Sequence, residues 1–190
     1  LQMVYWSLKF PEYYESLNIL KLNFNTFLLI FCTASILILF ASITNFGNRV
    51  LKNKFLNFIS NLSISGYAIP GIIISVAIVS FFSFLTEITP INFKNIFIGS
   101  LVGLVLGYFF RFYAISFNGI KSNYLKINYS IDESSYLMGF NRLKTFSKVH
   151  WPIMQKNTFF VFILIALEII KELPITLILR PFNFETFSTK

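Results

Sequence analysis

Four mostly uncharged apolar stretches restrict the fold of this chain more than any other feature of its sequence. Each has about the 20 residues that an α-helix needs to cross the hydrocarbon core of a bilayer. Backbone polar groups must be satisfied internally in lipid, and stretches of this length favour helices over barrel strands. We therefore predict an all-α integral membrane protein with spans over about residues 24–44, 62–85, 94–117 and 158–179.

The charged residues indicate how these spans are oriented. Only 13% of the residues are charged, against about 25% in soluble domains, although the net charge is +8. The interval 45–61 carries Arg49, Lys52 and Lys54 without an acidic residue, and the interval 118–157 also has an excess of cations. Both intervals are predicted to face the cytoplasm, which agrees with the two spans between them. The basic residues of these cytoplasmic loops explain the net charge, so nucleic-acid binding is not needed to account for it.

The first 23 residues differ from the rest because they mix Trp and Tyr with charged side chains. This mixture is typical of a membrane interface and predicts an interfacial, periplasmic segment over residues 1–23, before a transmembrane domain over 24–190. The chain begins with Leu1 and has no charged region before a short apolar run, so we expect no signal peptide. We expect the sequence to be a piece of a longer protein.

The longest polar interval separates the third and fourth spans and carries its own helix signals. Ser130 and Glu133 have the spacing of a capping box, which predicts the start of a short helix. Gly139 is a candidate left-handed stop, and Asn141 can cap a second, basic helix. Pro152 fits the first turn of the helix that follows. We therefore predict two short helices around a glycine break, followed by re-entry into the membrane.

This interval resembles the coupling loop of permeases from bacterial ATP-binding-cassette (ABC) importers. The family pattern is Glu-Ala-Ala, three residues, Gly, nine residues, then Ile, any residue, Leu and Pro. Serines replace both alanines, valine replaces isoleucine, and a bulkier tryptophan replaces leucine. The resemblance implies a coupling loop over residues 130–152 that docks on an ATPase. Its candidate residues are Asp132, Glu133, Ser134, Ser135, Gly139, Val149, Trp151 and Pro152. The expected docking surface of its first helix comprises Ile131, Ser135, Leu137 and Met138.

Three further segments sharpen the resemblance to iron(III) importer permeases. They are Tyr-Ala-Ile-Pro-Gly at 67–71, Lys-Glu-Leu-Pro at 171–174 and Leu-Arg-Pro-Phe-Asn-Phe at 179–184. The similarity covers about residues 24–190. It implies a type I ABC-importer transmembrane domain, here the C-terminal half of a permease that lacks at least one final membrane helix.

The same resemblance implies partners and a location. The expected partners are a cytoplasmic ABC ATPase dimer that binds Mg-ATP, a periplasmic substrate-binding protein and the other half of the permease, fused or paired. The expected location is the bacterial inner membrane, with lipid around the spans. The chain itself has no P-loop motif and no nucleophile arrangement, so we expect no enzymatic activity and no bound cofactor. It also shows no metal-ligand spacing.

Prolines and charges within the spans are candidates for a translocation path or gate. Pro70 is expected to kink the second span. Glu168, Lys171 and Glu172 are expected to share one face of the fourth span, with Pro174 just beyond. A charge near the bilayer centre costs about 2.5–3.5 kcal/mol on insertion scales, so these groups should face protein or water. The charged residues fit two interpretations: a polar lining near an outer gate, or a buried pair that fixes helix register. Pro70 also fits two: a bend that moves during transport, or a proline that the span tolerates.

Other residues in the spans favour packing roles. Gly99, Gly103 and Gly107 recur at every fourth residue, which predicts one helix face for close packing. Arg111 is expected in the last turns of the third span, reaching towards the headgroups. His150, the single histidine, is expected to be an interface or packing residue.

Two other functions fit the sequence. The chain could be a permease for thiamine, a polyamine or an oxyanion, because the coupling loop is common to the whole class. It could also be an ion-coupled secondary transporter with functional charges at Glu168 and Lys171.

Overall fold

A computed structural model describes residues 19–51, 58, 60, 61 and 65–189 of the chain. These residues form helices and contain no β-strand. The α-helices are α1 (Ile19–Leu51), α2 (Gly71–Ile88), α3 (Phe93–Phe97), α4 (Leu101–Leu125), α5 (Tyr129–Leu137), α6 (Arg142–Thr145), α7 (Trp151–Lys171) and α8 (Leu173–Leu179). A π-helical turn, Phe146–His150, joins α6 to α7, and 3₁₀ turns cover Ser65–Ala68 and Phe187–Thr189.

The all-α membrane prediction is confirmed at the level of helix length and composition. Four helical segments are long and apolar enough to cross a membrane: Ile19–Leu51, Gly71–Ile88, Leu101–Leu125 and Arg142–Lys171. Many large apolar side chains on their outer faces are exposed, as expected for surfaces that contact lipid. Of the predicted interfacial segment, residues 1–18 lie outside the described part of the chain, and residues 19–23 belong to α1.

Helices α1, α4 and α7 form the centre of the fold. Helices α1 and α4 run in the same direction, since their contacts advance together along both chains: Thr44 bonds to Tyr113, Asn45 donates to the Phe117 carbonyl, and Arg49 donates to the Tyr124 carbonyl. Helix α7 crosses both helices, and its Val161 lies against Gly119 of α4. The buried core includes Ala34, Leu37, Leu104, Ile120 and Ile165. Helices α2 and α8 cover the side of this core formed by α4.

The second and fourth spans are interrupted, whereas the sequence predicted a helix kinked at Pro70 for the second span and an unbroken helix for the fourth. Pro70 precedes α2 as its N-cap rather than kinking a helix that contains it. A proline disfavours helical backbone in the residue before it. Proline also has no N–H group, so at a helix start it leaves no donor without an acceptor. Helix α7 ends at Lys171, and Glu172, with φ −81° and ψ 97°, separates it from α8. The prediction that Glu172 shares a helix face with Glu168 and Lys171 is therefore wrong.

The three glycines predicted on one helix face have different positions. Gly99 lies outside any helix with φ +67°, so it ends α3 and allows Ser100 to cap α4. Gly103 lies against the backbone of Phe97 in α3. Gly107 packs against α8, where an added Cβ would lie 2.8 Å from Leu179 Cδ1. The packing role fits Gly103 and Gly107, but the shared face is wrong for Gly99.

Candidate functional site

The polar loop, residues 128–152, begins two residues earlier than the capping signal predicted. Asn128 is the N-cap of α5, and its side chain accepts a hydrogen bond from Ser130 N at 3.4 Å. Ser130 is therefore inside the first turn, and Glu133 lies too far along the helix to close a capping box. The side chain of Glu133 is exposed to solvent. Asn128 displaces the predicted cap because asparagine is as effective a capping residue as serine.

The predicted break at Gly139 is confirmed. Gly139 has φ +79°, its N–H donates to the Tyr136 carbonyl, and Phe140 N–H donates to the Ser135 carbonyl. This pair of bonds is a Schellman motif, which ends a helix with a left-handed residue. Asn141 then caps α6 as predicted, accepting a hydrogen bond from Lys144 N at 2.9 Å.

A buried hydroxyl pair joins the two short helices of the polar loop. Ser135 Oγ lies 2.9 Å from Thr145 Oγ1, and both side chains are fully buried. Ile131 is half-buried against the core, so neither Ser135 nor Ile131 belongs to the exposed surface predicted for docking. Ser134 is exposed and donates to the Ser130 carbonyl.

The end of the polar loop runs directly into the fourth span. The α6 helix, the π-helical turn and α7 are continuous over Arg142–Lys171. Val149 is half-buried within the π turn, and Pro152 falls in the first turn of α7 as predicted. Trp151 is exposed, with its ring 6.5 Å from that of Phe146, so its bulk lies outside the core. The basic helix is therefore the start of a span and not a separate element.

An exposed apolar surface surrounds the Gly139 break. Leu137, Met138 and Leu143 are 89%, 66% and 76% exposed. All three lie outside the spans predicted from the sequence, and in the structure Leu143 lies at the start of the helical segment Arg142–Lys171. We call these three residues the loop tip. Leu137 and Met138 were predicted from the sequence, whereas Leu143 was not. The sequence feature that could have identified Leu143 is its position between the two cations Arg142 and Lys144.

Asp132 is the centre of a buried charge cluster that connects the polar loop to the spans. Its Oδ2 accepts from Arg49 Nε at 2.7 Å, and its Oδ1 lies 2.6 Å from His150 Nε2. His150 is fully buried between the rings of Phe46 and Tyr124. Because a carboxylate only accepts, His150 Nε2 carries the proton of this bond. We call Arg49, Asp132 and His150 the Asp132 cluster.

Arg49 also ties the ends of α1 and α4 together. It donates to the backbone carbonyls of Tyr124 and Asn128 at 3.0 and 3.1 Å. Only 7% of its side chain is exposed, against 12% for that of Asp132. The cluster therefore joins α1, α4, α5 and the π turn in one network. The sequence identified Asp132 as a loop residue and His150 as a packing residue, but gave no sign that Arg49 is their partner.

A second polar cluster lies where Arg111, near the middle of α4, meets the segment before α2 and the break after α7. Arg111 Nη1 donates to the carbonyls of Tyr67, at 2.8 Å, and Ile69, in the segment just before α2. Its Nε lies 3.8 Å from Glu172 Oε2 at the break between α7 and α8. Arg111 is 13 positions from Tyr124 along α4, or about 20 Å of helix, so the prediction that it lies in the last turns of the third span is wrong.

The same region contains buried hydroxyl groups. Tyr108, which is fully buried, bonds to Thr176, and Thr176 donates to the Glu172 carbonyl. Ser188 donates to the Thr176 hydroxyl at 3.3 Å. Unwound backbone, a charge pair and hydroxyl groups thus lie together within the apolar part of the fold.

The structure brings only some of the predicted pathway residues to this cluster. Gly71, which follows Pro70, lies against the Glu172 carboxylate, and Pro174 is in the first turn of α8, two residues after Glu172. Glu168 and Lys171 form the predicted intrahelical pair at 4.0 Å, but the Lys171 side chain is 70% exposed. A buried pair that fixes helix register is therefore wrong for Glu168 and Lys171. The buried ion pair is instead interhelical, between Arg111 and Glu172.

No protein-family model matches this chain, and no curated protein matches it. Within the described residues, no group of three or more His, Cys, Asp or Glu side chains is arranged to hold a metal ion.

Proposed function

We propose that this chain is the permease subunit of an ATP-driven importer, in which a separate ATPase binds the loop tip. The observation that carries the proposal is that the loop tip is apolar and exposed while the buried Asp132 cluster attaches the same loop to the spans. Leu137, Met138 and Leu143, each at least 66% exposed, offer a partner an apolar surface. Each of them lies within four residues of Gly139, or at most about 14 Å of chain, so the three side chains form a compact docking surface.

The Asp132 cluster supports the proposal because it can transmit a displacement of the loop tip. Breaking a buried ion pair costs about 3–5 kcal/mol, which resists separation of the polar loop from α1. The second helix of the loop is continuous with the fourth span over Arg142–Lys171. A force on the loop tip would therefore move α1 and α7 with the loop, as a rigid-body switch between two arrangements requires.

The proposal extends to partners and location. ATP would be bound and hydrolysed as Mg-ATP by a cytoplasmic ATPase dimer, and a periplasmic binding protein would deliver the solute. The chain would be paired with, or fused to, another permease half in a bacterial inner membrane. Iron(III) is the proposed solute, and it rests on the resemblance of residues 67–71, 171–174 and 179–184 alone.

The test is co-purification of a tagged chain from its own membranes, followed by measurement of ATP hydrolysis. We expect an ATP-binding subunit to purify with the wild-type chain and to be lost when Leu137 and Leu143 are both replaced by Asp. Phe182→Asp is the matched control, because Phe182 is fully exposed and follows α8 at the opposite end of the fold. An ATPase that stays bound to the double variant would contradict the proposed docking surface.

The solute is tested separately by competition. Uptake of labelled iron(III) in cells that express the complete importer should be insensitive to thiamine, a polyamine or an oxyanion in excess. Importer-dependent uptake of labelled thiamine, polyamine or oxyanion, without importer-dependent uptake of labelled iron(III), would replace iron as the solute and leave the importer class unchanged.

A second candidate function, ion-coupled secondary transport, is favoured by the polar cluster around Arg111. Interrupted helices with unwound carbonyls and a charge pair inside the spans are typical of ion-coupled transporters. This function predicts uptake by the purified chain in vesicles that have an ion gradient and no ATP. The importer predicts no uptake under those conditions.

A further inference from the structure

A polar cavity of about 750 Å³ lies between the ends of α1 and α4, where both helices reach the polar loop. Asn45 and Arg49 line it from α1, and Lys121 and Tyr124 line it from α4. Lys126, one residue beyond α4, completes the basic side of the wall. The volume is within the range of about 300–1,000 Å³ that is usual for small-molecule sites.

The charge of this cavity is positive and is not balanced within the described residues. No acidic side chain is among those that line it, and Arg49 is already matched by Asp132. Lys121 and Lys126 are both exposed, and in the described ranges neither has a carboxylate within 4.0 Å. The cavity therefore favours an anion.

The lining also offers an apolar contact. The Tyr124 side chain belongs to the wall but is only 5% exposed, and its hydroxyl is buried, so the polar ligands of this cavity are its lysines. Leu125, 79% exposed, and Phe117 form the apolar part of the same wall. A free inorganic anion would use only the polar part, whereas a phospholipid would use both.

From these features we infer that the cavity binds the headgroup phosphate of an anionic membrane phospholipid, with Lys121 and Lys126 as its main ligands. The site lies at the ends of two candidate membrane spans, which is the depth at which headgroup phosphates are found. Basic pockets between spans at this level are suited to anionic headgroups. The inference requires a multi-pass membrane protein and does not depend on the proposed ATPase partner.

The experiment is native mass spectrometry of the detergent-purified full chain, titrated with phosphatidylglycerol or with phosphatidylcholine. We compare the wild type with Lys121→Gln/Lys126→Gln and with the matched control Lys144→Gln/Lys148→Gln, whose lysines are exposed on the polar loop outside the cavity. We expect the wild type and the control to bind phosphatidylglycerol more tightly than phosphatidylcholine. The cavity variant should bind phosphatidylglycerol about ten- to thirtyfold more weakly. Circular dichroism checks that its helix content is unchanged.

The other outcomes overturn the inference in distinct ways. Equal binding of the two lipids by the wild type would show that headgroup charge is not recognised. Equal loss in both double variants would show that any basic surface attracts the lipid. Inorganic phosphate that displaces phosphatidylglycerol at the same concentration would assign the cavity to a soluble anion and not to a lipid.

Discussion

Asp132 and Glu133 are adjacent acidic residues, but the fold gives them very different environments. Resemblance to the coupling loop draws attention to Glu133, which occupies the glutamate position of the family pattern. In the structure Glu133 is exposed, whereas Asp132 is buried and contacts both Arg49 and His150. The residue that attaches the polar loop to the spans is therefore Asp132.

Replacing Asp132 by Asn should weaken this attachment without changing the size of the side chain. Arg49, only 7% exposed, would lose its counter-charge while keeping its two backbone acceptors. Loss of one partner from a buried pair costs about 3–5 kcal/mol, so we expect a loss of roughly 3 kcal/mol in the free energy of unfolding. Denaturant titration in detergent micelles measures this loss.

Glu133→Gln is the control for this prediction, since it removes an adjacent charge that is exposed. Its free energy of unfolding should stay within about 0.5 kcal/mol of the wild type. If Asp132→Asn were as stable as Glu133→Gln, the Asp132 cluster would not hold the loop to the spans.

Local signals in the sequence predicted residues whose partners are near in the chain. Gly139 and Asn141 were predicted correctly because a helix stop and a helix cap depend on neighbouring backbone groups. Arg49 and Asp132 are 83 positions apart, and Arg111 and Tyr67 are 44 apart. Periodicity and spacing carry no information about such pairs, because the packing of whole helices brings them together.

The backbone of Gly139 sets the turn between the two short helices of the polar loop. A Cβ at this position would meet no atom within 4 Å, so a substitution there acts through its φ of +79° and not through crowding. Gly139→Val should cost about 1–2 kcal/mol locally, because side chains disfavour left-handed backbone. We expect faster hydrogen exchange over residues 135–145 and loss of ATPase stimulation, with membrane insertion unchanged.

Gly139→Asn separates the backbone requirement from the loss of glycine itself. Asparagine tolerates left-handed backbone and ends helices in the same way, so its exchange rates should lie close to the wild type. Unchanged protection in Gly139→Val would mean that the Gly139 break does not set the geometry of the loop.

At the scale of helices, the sequence predicted the number and type of the spans but not their interruptions. Apolar length is enough to identify a span, which is why all four were found. The starts and ends of helices within apolar sequence depend on tertiary partners. Arg111 binds the carbonyls that the break before Gly71 leaves free, and no local pattern predicts that contact.

The whole molecule is joined by polar contacts at two levels along α4. At one end, the Asp132 cluster attaches the polar loop to α1 and α4. About 20 Å away, Arg111 connects α4 to the interruptions before α2 and after α7. Helix α4 therefore contacts every other span. A displacement of the polar loop would reach the interrupted helices through α4, which is the movement that alternating access requires.

The orientation of the molecule in its membrane gives the broadest test, because the proposed ATPase can reach the loop tip only from the cytoplasm. Leu137 and Phe182 are both almost fully exposed and lie at opposite ends of the spans. The chain has one cysteine, Cys32, on the outer face of α1, and Cys32→Ser removes it. In that background, Leu137→Cys and Phe182→Cys each provide a single exposed thiol.

A membrane-impermeant maleimide added to intact spheroplasts should label Phe182→Cys and leave Leu137→Cys unlabelled. In inside-out vesicles the pattern should reverse, since the cationic intervals that contain Arg49 and Lys126 are predicted to be cytoplasmic. Detergent-permeabilised cells are the control for reactivity, because both thiols should react there. Labelling of Leu137→Cys from outside would place the loop tip on the wrong side of the membrane for a cytoplasmic ATPase. The importer proposal would then fail, whereas the cavity and the Asp132 cluster would keep their geometry.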